Sequence, residues 1–226
     1  IALLSDKTCL VLCGAARPTA FFAYPNKPSL PEAPGTHVID LCSIDMDCAG
    51  TLLALADAVD AQTVDLTEGD FVPLILPPLP SGPLTLDRIG QTIAALMPAD
   101  TIVVNEAITS GLPVAIATAT AQPHDLLVTM GGAIGAGLPT AVGAAVACPD
   151  RKVLALSGDG SALYTLQSLW TMAREQLDVT VVIFANHVYR ILHGELAAVG
   201  ATAGRNVARM FDMVEPKLDW VALAQG

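Results

Sequence analysis

The sequence predicts an α/β fold, a doubly wound parallel sheet preceded by part of a second α/β domain. Three observations carry this. The runs "TIVVNE", "KVLALSGDG" and "VTVVIFANH" are short and almost continuously apolar, as strands buried on both faces are. Stretches with apolar residues at helical spacing lie between or beside them. The connections are short and glycine-rich, so strands and helices alternate as in a parallel sheet covered on both sides.

Taken in order, residues 8–13 (TCLVLC) and 37–41 (HVIDL) read as short buried strands, and 49–59 as a helix. Residues 16–36, rich in proline, read as an irregular loop. Two strands and a helix do not close a domain, so residues 1–65 read as the latter part of one, a second Rossmann-like α/β domain. "FVPLILPPLPSGPL" holds five prolines between Pro73 and Pro83, which excludes a central strand or a helix. Residues 66–84 therefore read as an extended interdomain linker.

A second domain is expected over 85–226. "TLDRIGQTIAALM" is a helix with Asp87 in its first turn, and "TIVVNE" is a strand followed by a loop. "MGGAIGAGLPTAVGAAVAC" is a glycine-rich turn leading into a helix from Pro139. "KVLALSGDG" is a strand, and "SALYTLQSLWTMARE" one helix with Leu163, Leu166, Leu169, Trp170 and Ala173 along one side. "VTVVIFANH" is the last strand.

Composition bounds what such a chain binds. It is 53% hydrophobic and 15% charged, enough to fill a sizeable core and unlike a disordered chain. Its formal net charge of −11 argues against nucleic acid and anionic membranes as partners. No apolar run approaches the ~20 residues that span a bilayer. The opening Ile-Ala-Leu-Leu-Ser-Asp has no basic segment and is not a signal peptide, and both ends read as those of a fragment. The five cysteines (Cys9, Cys13, Cys42, Cys48, Cys148) include no CxxC and no Cys/His cluster, so zinc is not expected. They read as buried structural thiols in a reducing, cytoplasmic compartment, Cys9 and Cys13 on one face of a strand.

The chemistry concentrates where an apolar strand stops at "GDG". Ligands of a parallel sheet gather at the carboxyl ends of its strands. Asp159 stands at one such end and Asn186 at the next, 27 residues on. A right-handed crossover between them brings both side chains to one edge of the sheet. A carboxylate and an amide oxygen are hard ligands suited to Mg²⁺, which completes its shell with phosphate and water. Gly158 and Gly160 let the backbone approach a bulky ligand, and Ser161 is expected to open a helix whose amino end attracts phosphate. A plain Gly-Asp-Gly turn at a strand end is the competing explanation.

"GDGSALYTLQSLWTMAREQLDVTVVIFANHVY" resembles the cofactor motif of the thiamine-diphosphate enzymes of the acetolactate synthase and benzoylformate decarboxylase family, and "GGAIGAGLPTAVGAAVACPDRKV" resembles the glycine-rich stretch before it. The resemblance covers roughly residues 85–226, and residues 1–65 resemble, less specifically, the latter part of the family's middle domain. It implies a thiamine-diphosphate-binding fold, Mg²⁺ held by Asp159, Asn186 and the backbone carbonyl of Val188, and Gly158, Gly160, Ser161 and Tyr189 about the diphosphate. Thr109 and Ser110 match diphosphate-side hydroxyls. Ile134 matches the bulky residue under the bent cofactor, and Gly132 offers a carbonyl to its aminopyrimidine. The family's motif ends in two asparagines, and the first is Ala185 here; the ligand is the second. His187 and Arg190 fall where the family varies with its substrate.

The implied activity is attack of the cofactor on the carbonyl of a 2-oxo acid with loss of CO₂. A second 2-oxo acid then accepts the remaining fragment in a synthase, as pyruvate does in acetolactate synthase, and a proton does so in a decarboxylase. The resemblance also implies a homodimer or homotetramer, with the activating glutamate on an amino-terminal pyrimidine-binding domain outside this segment, so no catalytic residue is assigned here. Glu106 is on the diphosphate side and is not given that role. Some synthases of the family carry FAD on the middle domain, which this segment does not support. A non-catalytic module that binds the cofactor is the alternative from another class. "GGAIGAG" lacks the dinucleotide spacing, and "GDGSA" is not a nucleophile elbow. His124, His187 and His193 are assigned no chemistry, and Leu-His-Gly at 192–194 reads as a helix end.

Overall fold

Strand pairing in the amino-terminal part follows from two aliphatic runs of matched length. In the computed structural model, which describes residues 3–61 and 63–226, β1 (Cys9–Cys13) pairs in parallel with β2 (His37–Cys42). The register runs from Cys9 opposite His37 to Cys13 opposite Cys42. Helix α1 (Cys48–Ala58) follows, its first turn capped by the Asp47 carboxylate, which accepts the Gly50 N–H at 2.9 Å. The loop between the strands is irregular and is held by Arg17 on the buried Glu32, 2.6 Å apart.

These strands are not the buried ones expected. Only Leu12 and Cys42 are buried in them, and no residue of α1 is. A two-stranded sheet with one helix has too few neighbours to cover either face. The cysteines also depart from expectation. Cys9 is exposed and Cys13 half-buried, and the sulfurs of Cys13, Cys42 and Cys48 lie within 4.8 Å of one another.

The chain divides into two compact units, Ile1–Glu68 and Gly69–Gly226. The second opens with residues 71–84 in no helix or strand. Ile75 is tied down there: its N–H donates to the Thr120 carbonyl (2.7 Å), and its carbonyl accepts from the Thr120 hydroxyl (3.1 Å). Helix α2 (Leu86–Leu96) begins at Thr85, whose hydroxyl accepts the Arg88 N–H, with Asp87 in its first turn.

Then come β3 (Thr101–Glu106), α3 (Gly111–Thr118), β4 (His124–Val128), α4 (Gly137–Ala147), β5 (Val153–Gly158), α5 (Asp159–Leu163), α6 (Ser168–Arg174) and β6 (Val179–Phe184). The four strands are parallel, in the order β4-β3-β5-β6. Alternation along them feeds two cores. Ile102, Val104, Val153 and Ala155 face α4, α5 and α6 through Leu138, Ala141, Ala162 and Met172. Val103, Leu154 and Leu156 face α2 and α3 through Ile89, Ile93 and Val114. The sheet is therefore doubly wound, as expected.

Several details differ from the sequence reading. The loop expected after β3 contains α3 and β4, and α4 starts at Gly137 rather than Pro139. The single helix expected after "GDG" is two, because the Thr165 hydroxyl donates to the Gly135 carbonyl (2.7 Å) in the turn between them. Ser161 does not open a helix, since α5 already begins at Asp159. Leu192-His193-Gly194 lies inside α7 (Arg190–Ala198), which is followed by α8 (Arg205–Phe211) and α9 (Trp220–Gln225). Among the described residues, no helix is long and apolar enough to cross a membrane.

The strand order fixes where a ligand belongs. β3 has β4 on one side and β5 on the other, and the helices leading to them, α3 and α4, pack on opposite faces. The crossovers diverge between the carboxyl ends of β3 and β5, which opens a crevice there.

Candidate functional site

The two residues that end β3 organise one side of the crevice. Successive strand residues point to opposite faces, so Asn105 and Glu106 reach different loops. The Asn105 amide oxygen accepts the Ala107 N–H (3.1 Å), and its NH₂ donates to the Gly111 carbonyl (3.3 Å). That bridges the turn carrying Thr109 and Ser110. Glu106 is 1% exposed and accepts three backbone N–H groups, from Gly135 (2.7 Å), Ala136 (3.1 Å) and Gly137 (2.8 Å). It thereby folds the glycine-rich loop and satisfies amides at the start of α4. Both its oxygens serve the backbone, so Glu106 is a positioning residue.

The ends of β5 and β6 form the other side. Asp159, 2% exposed, follows β5 directly; one oxygen accepts the Gly160 N–H (2.9 Å) and the other the His187 N–H (2.7 Å). The second contact requires His187 at φ 57°, in the left-handed region that costs a non-glycine residue energy. The same loop is fastened by the Met213 N–H donating to the His187 carbonyl (2.8 Å) and the Tyr189 N–H to the Phe211 carbonyl (2.9 Å). Asn186 lies two residues beyond β6, and its amide oxygen accepts the Val188 N–H at 3.0 Å. The His187 Nδ1 is buried without a hydrogen-bond partner among the described residues, 3.8 Å from Asp159.

One cleft collects nearly every residue singled out from the sequence. Thr109, Ser110, Ile134, Gly158, Asp159, Gly160, Ser161, Asn186, Val188 and Tyr189 all line it, together with Arg190. Gly132 does not; it sits at φ 69° in the turn before Ile134. Gly160 has a use the sequence did not reveal. A Cβ there would stand 2.5 Å from Cε1 of Tyr189, so the missing side chain makes room for that ring. Burial, and then the neighbouring Tyr164 and Asp159 charges, push the Tyr189 phenol above its ordinary value of 10. His193 packs edge-on against Phe211, with centroids 5.0 Å apart, and His124 bonds the Gln122 carbonyl (2.8 Å). Neither lines the cleft.

The donor set fits a hard divalent cation. Each Asp159 oxygen spends one lone pair on an N–H and keeps another. The Asn186 oxygen does likewise, and among the described residues the Val188 carbonyl accepts the Arg190 N–H, at 2.9 Å, and no other. Three residues with oxygen ligands therefore line the same cleft as four hydroxyl side chains, without any sulfur or imidazole nitrogen lining it among the described residues. Asn105, Glu106 and His187 escaped assignment from sequence because their roles depend on backbone N–H groups or turns. The one available signal was a pair of polar residues closing an apolar strand.

Residues 114–226 match the family model described as "Thiamine pyrophosphate enzyme, C-terminal TPP binding domain". The chain belongs to the thiamine pyrophosphate enzymes. Within this family it is 46% identical, over 96% of its length and 42% of the relative's, to a Mycobacterium tuberculosis protein named "Putative acetolactate synthase large subunit IlvX". It is 32% identical to benzoylformate decarboxylase of Pseudomonas aeruginosa, over 80% of this chain and 33% of that one. The solved thiamine diphosphate-dependent 4-hydroxybenzoylformate decarboxylase of Rhodococcus jostii superposes with a TM-score of 0.72 at 26% identity, covering 100% of this chain and 43% of that one. Benzoylformate decarboxylase of Polynucleobacter necessarius shares the fold, with a TM-score of 0.61 at 20% identity over 99% of this chain and 44% of its own. The chain thus spans less than half the length of each of these relatives.

Proposed function

We propose that this chain is the diphosphate-binding part of a thiamine-diphosphate- and Mg²⁺-dependent enzyme acting on 2-oxo acids, an acetolactate synthase-like decarboxylation and carboligation of pyruvate. The observation that carries it is the meeting of Asp159, Asn186 and the Thr109–Ser110 turn on one cleft at the switch point of the sheet. On this reading Asp159, Asn186 and the Val188 carbonyl hold Mg²⁺. Thr109, Ser110, Gly158, Gly160, Ser161 and Tyr189 surround the diphosphate, Ile134 supports the cofactor by bulk, and Gly132 lies toward the pyrimidine end.

When bound, thiamine diphosphate supplies the carbon nucleophile and electron sink for 2-oxo acids, and the protein supplies position and electrostatics. The chain's own groups bind and orient. Glu106 and Asn105 fix the two loops, and His187 offers its N–H to hold Asp159. The activating carboxylate is assigned to an amino-terminal pyrimidine-binding domain, and residues 1–65 to the latter part of a middle domain, with 66–84 linking it to 85–226. The working form is a homodimer or homotetramer, in the cytoplasm, where five unpaired thiols persist. FAD is not part of the reading.

A decarboxylase that protonates instead of ligating is the second reading, favoured by the likeness to the Rhodococcus jostii enzyme. Product analysis of the assembled enzyme with pyruvate and with benzoylformate separates the two, as acetolactate or aldehyde. The site itself is tested by calorimetric titration of thiamine diphosphate with Mg²⁺ and with chelator. Asp159→Ala abolishes binding, and Asn186→Ala weakens it by about tenfold or more, roughly 1.4 kcal/mol. Affinity unchanged in both variants overturns the assignment.

A further inference from the structure

The amino-terminal unit has a strand-end cluster of its own. Parallel pairing, with a register shift between Leu12 and Cys13, sets Cys13, the last residue of β1, opposite Cys42, the last of β2. Their sulfurs are 3.4 Å apart. The chain then makes a tight turn, with the Met46 N–H donating to the Ser43 carbonyl (3.1 Å) and the Cys48 N–H to the Met46 carbonyl (2.9 Å). That turn returns Cys48, first residue of α1, to the other two thiols, and all three sulfurs fall within 4.8 Å. Cys42 is buried, while Cys13 and Cys48 are half-buried, so the cluster opens to solvent on one side. The backbone is cleared for it: Gly14 takes φ 62°, and a Cβ there would lie 2.8 Å from the Cys48 sulfur.

We propose that Cys13, Cys42 and Cys48 form a binding site for one soft, thiophilic divalent cation of the zinc class. Thiolate is the ligand type such ions select, and three of them leave a fourth position for water. Around one ion at a metal–sulfur distance of about 2.3 Å, three sulfurs stand roughly 3.8–4.0 Å apart, so shifts of about half an ångström close this set. The nearby carboxylates are engaged elsewhere: Asp47 caps Gly50, and Asp45 accepts the Ser43 hydroxyl at 2.6 Å. A disulfide would use two of the sulfurs and leave the third without a role. None of its three residues lines the cleft of the second unit, and its ligands are sulfur rather than oxygen.

The test uses the full chain, reduced and stripped of metal, titrated with Zn²⁺ against a chromophoric chelator and with Co²⁺ followed by thiolate-to-metal charge-transfer absorption. One equivalent is taken up. Cys13→Ser and Cys48→Ser each weaken binding by about tenfold or more and diminish the Co²⁺ band, while Cys9→Ser and Cys148→Ser change neither. Gly14→Ala, which removes no sulfur, also weakens binding by crowding Cys48. Thermal unfolding checks that each variant is folded, and the half-exposed Cys48 decides if the buried Cys42→Ser fails to fold. No uptake by the reduced chain overturns the proposal, as does a Co²⁺ band undiminished in Cys13→Ser and Cys48→Ser. A Cys13–Cys42 disulfide found by mass spectrometry, in protein that takes up no metal after reduction, overturns it in favour of a redox pair.

Discussion

Replacing Glu106 by glutamine tests whether this carboxylate builds the cleft or does chemistry in it. The substitution preserves size and removes the charge. Three N–H groups converge on the two Glu106 oxygens, at 2.7, 2.8 and 3.1 Å, and glutamine brings only one oxygen to meet them. Whichever way the amide turns, at least one buried N–H then faces an NH₂ donor. A hydrogen bond to a charged group contributes about 1.5–3 kcal/mol, and an unpaired buried donor costs about 1–3. The losses overlap, so roughly 2–4 kcal/mol is expected. In a unit the size of Gly69–Gly226 each kcal/mol lowers the melting temperature by about 2–4 °C, so Glu106→Gln should melt roughly 4–16 °C lower. Hydrogen exchange should quicken first at Gly135, Ala136 and Gly137, and thiamine diphosphate affinity should fall with it. An unchanged melting temperature and cofactor affinity, with turnover abolished in the assembled enzyme, would refute the positioning role and make Glu106 a proton-transfer group.

Two further outcomes follow from the same geometry. Ile134 lines the cleft at 42% exposure, so in the assembled enzyme Ile134→Leu should keep most turnover, and Ile134→Ala should lose kcat far more than cofactor affinity; wild-type kcat in the alanine variant would remove its supporting role. The Glu32 carboxyl is held below its usual 4.5 by its own backbone N–H and then by Arg17, so its folded value is the depressed one; the order it gives the 17–32 loop is full above about pH 4.5 and lost as pH falls below that. Limited proteolysis with an acid-active protease should cut this loop faster as pH drops, and Glu32→Gln should remove the pH dependence.

The regular parts of this fold are written in the sequence because local and global signals agree there. β3, β5 and β6 are near-continuous apolar runs buried in the centre of the sheet or packed along it, and α2 announces itself with Thr85 as cap and Asp87 behind it. α3 and β4 escape for opposite reasons. α3 is apolar all round, so it has no periodic face to read. β4 is a five-residue edge strand directly after a proline, with most of its residues exposed. The break between α5 and α6 is tertiary, imposed by the Thr165–Gly135 contact across 30 residues. In the cleft, Asp159 and Asn186 are legible because a strand end and a crossover fix their spacing. Glu106 is not, since the amides it gathers lie 29 to 31 residues away. The cysteine cluster is hidden in the same way, because the β1–β2 pairing and its register shift after Leu12 bring Cys13 to Cys42.

The acidity of the chain narrows how the cleft can receive a diphosphate. Among the described residues lining it, Asp159 is the one carboxylate and Arg190 the one cationic side chain. Arg190 is exposed, whereas Asp159 is buried at the point where β5 opens into the crevice. At ~5 Å and an effective dielectric of ~20, one negative phosphate charge beside that carboxylate costs about 3 kcal/mol. The N–H groups of Gly160 and His187 do not relieve this, because they already point at Asp159. Those two bonds take one lone pair on each Asp159 oxygen and leave the other for a cation. On the proposed reading a divalent ion bound there turns the repulsion into attraction, and the neutral hydroxyls of Thr109 and Ser110 would add hydrogen bonds without adding charge. On this reading the metal does not merely accompany the cofactor: it is what lets a chain of net charge −11 bind an anion at all.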